Sequence, residues 1–217
     1  LEKLVNYFFY NLVIVMADIK VPIAKPIIGE EEIENVVEVL KSGMIAQGPK
    51  VMEFEEKFAN WIGAKYGIAT NSGTSALHVA LLACGIGEGD EVITTPFTFI
   101  ASGNAIVYTG ATPVFSDIDL DTYTIDPDKI EEILKKDAEN GHKVKAIVPV
   151  HIAGNVCDME RIMALAKKYS TPENKIYVIE DAAHSYPSKT KLGYAGTIGD
   201  AGVFSFYVTK TITTAEG

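Results

Sequence analysis

The sequence is short of cysteine and of positive charge. Two cysteines, Cys84 and Cys157, in 217 residues exclude a disulfide-stapled scaffold and a Cys-rich zinc site, and they fit a reducing, cytoplasmic setting. Lys and Arg number 19 against 29 Asp and Glu, a formal charge of −10, so the field around the molecule repels a phosphate backbone and a nucleic-acid partner is disfavoured. A long hydrophobic run is also missing. The most apolar stretch, LEKLVNYFFYNLVIVM at residues 1–16, is interrupted by Asn6 and Asn11 and is shorter than the roughly 20 residues a membrane span needs. It has neither the basic start nor the small-residue cleavage site of a signal peptide. We therefore expect no membrane partner and read residues 1–16 as a non-native or disordered extension ahead of a start at Met16, with a membrane-surface helix as the alternative. No repeat, low-complexity tract or Pro/Gly-rich linker follows, which predicts one domain over residues 17–217. Hydrophobic residues make up 47%, enough for a substantial core and against disorder as the main state.

The apolar spacing sets the fold class. Ile33, Val36, Val37 and Leu40, then Val51, Phe54, Phe58 and Trp61, recur at helical intervals and predict two amphipathic helices, the first ending at Ser42-Gly43. Short β-type runs follow at Tyr66–Thr70, Glu91–Thr94, Thr112–Ser116, Val144–Val150, Ile176–Glu180 and Gly202–Phe206. Helical segments such as Ala76–Ala83, Asp128–Lys136 and Asp158–Tyr169 separate them. This alternation predicts an α/β fold, a mostly parallel sheet covered by helices on both faces. Such sheets bind ligands beyond the carboxyl ends of their strands, so the strand-to-helix turns are where function is expected.

Three turns carry chemistry. After Thr70, Asn71-Ser72-Gly73-Thr74-Ser75-Ala76-Leu77 opens a helix with free N–H groups and hydroxyls, a cup suited to a phosphate. Ser72 or Thr74 as a plain N-cap is the alternative. The run Ile176–Glu180 ends in Asp181-Ala182-Ala183-His184, an acid where a buried strand meets the crevice. A buried carboxylate there needs a cationic partner, and a pyridinium nitrogen would serve. At about 4 Å and an effective dielectric near 20 that attraction is about 4 kcal/mol, or about three pKa units on the ring nitrogen. A cap on the next turn is the alternative role for Asp181. Finally, Phe204-Ser205-Phe206-Tyr207-Val208-Thr209-Lys210 runs from a strand into a loop holding a single lysine. Lys210 is either a solvated loop residue or a desolvated amine of the kind used in Schiff-base chemistry. The glycine-rich Gly85-Ile86-Gly87-Glu88-Gly89-Asp90 follows a helix and precedes a strand, the reverse of a dinucleotide cradle, and reads as a structural turn.

Taken in order, these segments resemble pyridoxal-phosphate enzymes of aspartate-aminotransferase type, and specifically the DegT/StrS family of nucleotide-sugar aminotransferases. The resemblance runs from about Val21 to Gly217. It rests on Ser42-Gly43 through Gln47-Gly48-Pro49, Ser72–Leu77, Gly89-Asp90-Glu91-Val92-Ile93, Thr95-Pro96-Phe97-Thr98-Phe99, Glu180–His184 and Phe204–Tyr207 with Lys210. It implies the large domain of a three-layer αβα sandwich and pyridoxal 5'-phosphate as cofactor. Residue by residue, it implies that Lys210 forms the Schiff base and then shuttles a proton, and that Asp181 pairs with the pyridine nitrogen. Gly73, Thr74, Ser75 and Ser205 would hold the phosphate. Phe99 would stack on the ring, with an ordinary core aromatic as the other reading, and His184 would sit near the ring's phenolic oxygen. No metal is implied.

The family's reaction is ping-pong transfer of an amino group from an amino-acid donor, glutamate in most relatives, to a keto group of a nucleotide-linked sugar. Dehydratase relatives replace the lysine with histidine, so Lys210 favours transamination, and the run Lys210–Gly217 is more similar to enzymes that act at sugar C4 than at C3. Ala215 departs from the more usual glycine. Relatives form homodimers and carry a C-terminal small domain beyond the residues present here. The chain is therefore expected to be an incomplete large domain, weakly active or inactive alone. Lys25 reads as a surface lysine, Asp158 as a helix N-cap, and His151 stands outside the catalytic set. A non-catalytic regulatory protein of the same fold, or transamination of a cyclitol or other small ketone, are the competing functions.

Overall fold

The computed structural model describes residues 21–217, so the expectation for residues 1–16 lies outside the described residues. Helix α1 (Glu30–Ser42) starts where the Gly29 N–H donates to the Glu32 carboxylate (2.7 Å) and three glutamates face the positive helix end. It stops at Gly43, which adopts a left-handed conformation (φ 71°). Its apolar stripe Ile33, Val36, Val37 and Leu40 is exposed. Helix α2 (Pro49–Ile62) has proline in its first turn, where no N–H is required, and buries Ala59 and Ile62.

Helices α3 (Gly73–Ala83), α4 (Ala101–Tyr108), α5 (Pro127–Glu139) and α6 (Met159–Tyr169) alternate with strands β1 (Glu91–Thr94), β2 (Thr112–Phe115), β3 (Val144–Ile147) and β4 (Tyr177–Asp181). A two-residue hairpin, β5 (Lys189–Thr190) and β6 (Gly193–Tyr194), precedes β7 (Ala201–Val203). The main sheet has the order β2-β1-β3-β4-β7, and all its pairings are parallel. Successive strand residues point to opposite faces, and the core divides accordingly. Ile93, Ile147 and Val178 pack with Ile130 and Leu134 of α5 and Ile162 of α6. Their neighbours Val92, Ala146 and Ile179 pack with Leu77 and Leu81 of α3 and Ala105 and Ile106 of α4. Helices thus cover both faces of a parallel sheet, the three-layer arrangement the sequence predicts. With every strand parallel, all carboxyl ends meet at one edge.

The structure departs from the sequence reading at three strands. Tyr66–Thr70 makes no ladder among the described residues. Its backbone is used otherwise: the Ala69 N–H donates to Glu55 Oε1 of α2 (2.7 Å), and the adjacent Asn71 carbonyl accepts from Gly217 N–H (3.1 Å). The run Val144–Val150 stops pairing as a strand at Ile147. Pro149 has no N–H to donate, and Val150 returns only in a single bridge to Asp181. The run Gly202–Phe206 pairs only to Val203, after which Phe206 exchanges backbone hydrogen bonds with Gly217 and Thr214. Helix α3 begins three residues earlier than the apolar spacing suggests, because Ser72 caps it. Helix α4 escapes a periodicity reading because small and apolar residues surround its axis.

The loop that feeds β7 runs so close to the backbones of β7 and β4 that only glycine fits. A Cβ at Gly202 would lie inside the van der Waals envelope of the Gly196 carbonyl, and one at Gly199 would sit 2.5 Å from the Val178 oxygen. We expect Gly202→Ala to cost about 3 kcal/mol, the upper end of overpacking penalties, measurable as a lowered urea midpoint.

Candidate active site

The Phe204-Ser205-Phe206 segment leaves β7 extended, so alternate side chains point opposite ways. The two phenylalanines pack edge-on against α2: Phe204 against Phe58 (ring centroids 5.0 Å), and Phe206 against Phe54 (5.0 Å) and Phe58 (5.1 Å). Ser205 is thereby turned the other way, onto the start of α3, where a Cβ on Gly73 would be 3.2 Å from Ser205 Cβ and 3.5 Å from its Oγ. Glycine at position 73 is what lets the Ser205 hydroxyl reach the helix N-terminus. Ser72 Oγ caps that helix, accepting from Ser75 N–H (3.1 Å) and donating to Ser75 Oγ (3.0 Å). The N-cap reading thus belongs to Ser72. The Ser75 N–H is already engaged, and Gly73 and Thr74 are the first-turn residues whose N–H groups precede the helical ladder.

Asp181 closes β4 at 5% exposure. Its Oδ2 accepts from Ser102 Oγ–H (2.7 Å) and its Oδ1 from Ala183 N–H (3.2 Å). Its carbonyl accepts from His151 N–H (3.0 Å). Lys210 is half-buried, and burial lowers its pKa from the usual lysine value while the charge of Asp181 opposes that shift. His184 is exposed; burial of its ring and then the charge of Lys210 lower its pKa, with Asp181 again opposing. Each of Asp181 and His184 therefore lies within electrostatic reach of Lys210. His184 Nδ1 accepts from Ala153 N–H (3.4 Å), which leaves the neutral ring's proton on Nε2. Phe99 stands at 67% exposure in the turn before α4, which does not fit an ordinary core aromatic.

Two features escaped the sequence reading. Ser102, 1% exposed, is the side-chain partner of Asp181 and also meets Thr98 Oγ1 at 2.8 Å. The available signal was a hydroxyl pair four residues apart, Thr98 in the turn after β1 and Ser102 in the first turn of a mostly small and apolar helix. The second is a buried hub on the opposite side of β4. Glu180, fully buried, receives N–H groups of Gly196 (2.9 Å), Ile198 (2.7 Å) and Gly199 (2.6 Å) and the ring of His151 (2.9 Å). His151 Nδ1 accepts from Cys157 N–H (3.2 Å), so the proton on Nε2 points at Glu180. Burial pushes the Glu180 pKa up, but the hydrogen bonds from His151, Gly199 and Gly196 outweigh it and hold it below the usual value. The pair links the loop that feeds β7 to the loop after β3, a structural role consistent with leaving His151 out of the catalytic set.

The remaining sequence features are structural. Asp158 caps α6 by accepting from Arg161 N–H (3.1 Å). Gly87 and Asp90 close the glycine-rich turn, and Lys25 is exposed. Burial pushes the Cys157 thiol up to about 12, which keeps it un-ionised and unreactive. Among the described residues no helix is long and apolar enough to cross a membrane.

Residues 26–217 match the model of the DegT/DnrJ/EryC1/StrS aminotransferase family. The chain is 49% identical over 196 residues to the spore coat polysaccharide biosynthesis protein SpsC of Bacillus subtilis (strain 168), covering 90% of this chain and 48% of that protein. It is 46% identical over 198 residues to the GDP-perosamine synthase of Escherichia coli O157:H7, covering 91% and 51%. It superposes with a TM-score of 0.83 on the PLP-form structure of the aminotransferase Spr1654 from Streptococcus pneumoniae, at 37% identity, over 91% of this chain and 51% of that one. The chain spans about half the length of the curated relatives it matches. A parallel sheet whose one edge gathers an aspartate, a half-buried lysine and a glycine-opened helix start, matched over nearly its whole described length by one family, makes this chain a member of the DegT/DnrJ/EryC1/StrS aminotransferases.

Proposed function

We propose that this chain carries the cofactor site of a pyridoxal-phosphate-dependent aminotransferase. The whole protein moves an amino group from an amino-acid donor, glutamate, to a keto group, at C4, of a sugar linked to a nucleotide. The observation that carries the reading is the Gly73–Ser205 approach at the start of α3, beside which the buried Asp181 ends β4 and the charges of Asp181, Lys210 and His184 act on one another. Likeness to a GDP-perosamine synthase supports the nucleotide-sugar class.

The residues fit the cofactor by charge and by shape. Gly73 and Thr74 offer N–H groups, and Thr74, Ser75 and Ser205 offer hydroxyls, at the positive end of an eleven-residue helix, a donor set matched to a phosphate without any lysine. The missing Cβ at Gly73 keeps that cradle open. Asp181 is the fixed anion for a protonated ring nitrogen, Phe99 is free to cover a ring face, and His184 Nε2–H is a donor for the phenolic oxygen. When bound, pyridoxal phosphate acts as an electron sink that makes the proton on the carbon beside the transferred nitrogen acidic. Lys210 supplies the amine that holds the cofactor's carbonyl carbon. Once displaced by the donor's nitrogen, the same Nζ would take the proton from the substrate carbon and deliver it to the cofactor carbon on the far side of that nitrogen. Lowering of the lysine pKa by burial raises the share of free base available for both tasks.

The apolar stripe of α1, which no other described residue covers, supports a homodimer as the working unit, since four apolar side chains on one helix face are exposed there. The reading is tested on the full-length protein loaded with pyridoxal phosphate. Glutamate should convert the cofactor's absorbance to that of the amine form, and a nucleotide-linked 4-keto sugar should restore it. Restoration by free ketones but not by the nucleotide-linked sugar would overturn the substrate class. No response to any amino donor would overturn transamination.

A further inference from the structure

Ser102 has one hydroxyl proton and three oxygen neighbours: Asp181 Oδ2 at 2.7 Å, Thr98 Oγ1 at 2.8 Å and the Phe99 carbonyl at 3.4 Å. An ionised carboxylate can only accept, so the Ser102 proton goes to Asp181, the nearest of the three. Ser102 Oγ is then left as an acceptor, and the Thr98 hydroxyl must be the donor in the Thr98–Ser102 contact. The chain of protons runs one way, from Thr98 through Ser102 to Asp181, and each bond polarises the next at a site where Ser102 is 1% and Asp181 5% exposed. The Ser102 N–H also donates to the Phe99 carbonyl (3.2 Å), so the residues of this relay clamp both ends of the turn that carries Phe99.

We infer that Ser102, backed by Thr98, is the positioning residue that fixes the Asp181 carboxylate for the cofactor's ring nitrogen and couples it to the turn presenting Phe99. The inference rests on the cofactor reading above. Each Asp181 oxygen receives one donor, from Ser102 or from Ala183, and keeps one further acceptor site, so the carboxylate is held against rotation while still able to take a cationic N–H. Without Ser102, the longer bond from Ala183 N–H is the one side-chain restraint left among the described residues.

The test is equilibrium dialysis of full-length apoprotein against pyridoxal phosphate, for Ser102→Ala, Ser102→Thr and Thr98→Val, each in the native and the Asp181→Asn background. Ser102→Ala should weaken binding about tenfold in the native background, the equivalent of about 1.4 kcal/mol. Ser102→Thr, which keeps the hydroxyl, should stay within about twofold, and Thr98→Val should fall in the same direction by less. In the Asp181→Asn background Ser102→Ala should change binding by no more than about twofold, because its effect passes through the carboxylate. A generally loosened fold would instead give equal losses in both backgrounds, and unchanged thermal melting of the apoprotein is expected for Ser102→Thr. Equal losses, or no loss in the native background, overturn the inference while leaving the cofactor reading intact. No saturable binding by the unsubstituted protein overturns the cofactor reading and this inference with it.

Discussion

Lys210→Ala should lower transamination by the full-length protein by about 10²–10⁴-fold or more, since it removes both the amine that holds the cofactor and the group that carries the proton. Lys210→Arg should fail almost as completely, because a guanidinium keeps its proton and has no lone pair to give. The native amine should also show its environment in a pH profile. Burial lowers the Lys210 pKa, so its reaction with a carbonyl reagent in the apoprotein should reach half its maximal rate at a pH below that of an ordinary lysine side chain, and fall off as the amine protonates below that point. Asp181 acts against burial by favouring the charged form. Asp181→Asn should therefore move the profile to still lower pH. A profile that coincides with the surface lysines, or that moves upward in Asp181→Asn, would contradict the electrostatic picture of the site.

The second large effect concerns stability. Glu180→Ala should destabilise the fold by about 3–5 kcal/mol, read from urea unfolding, because it strands three backbone N–H groups and the His151 ring in a fully buried position. Glu180→Gln should cost less, about 1–3 kcal/mol, since the amide nitrogen replaces one acceptor with a donor facing other donors. The folded-state pKa of Glu180 is lowered, so its stabilising contribution is fully present at neutral pH and is lost as pH falls through and below the ordinary carboxylate range. In Glu180→Gln that part of the acid sensitivity should disappear. Because Gly196, Ile198 and Gly199 belong to the loop feeding β7, the same substitution should loosen the segment that carries Ser205 and Lys210.

Much of this organisation is legible in the sequence because local patterns and tertiary contacts agree. The alternation of short β-type runs with amphipathic helices locates β1, β4 and α6 to within a residue or so, and the order of polar turns marks where Asp181 and Lys210 stand. What local reading misses depends on non-local partners. Tyr66–Thr70 has strand composition, but ladder formation needs a neighbouring strand, and its backbone is tied to Glu55 and, next to it, Gly217. Ser102 looks like any small residue on an apolar helix until the fold brings it against a carboxylate 79 positions away. Glu180 reads as a polar interruption in a buried strand, and its four donors come from loops that no periodicity connects.

The most direct test of the account is to incubate the protein with pyridoxal phosphate, reduce with borohydride and locate the pyridoxyl group by peptide mass mapping. The account predicts one dominant adduct, on Lys210, suppressed in Lys210→Ala without transfer to a neighbouring lysine. A dominant adduct on another lysine, or labelling scattered over the surface with the Lys210 peptide unmodified, would contradict it.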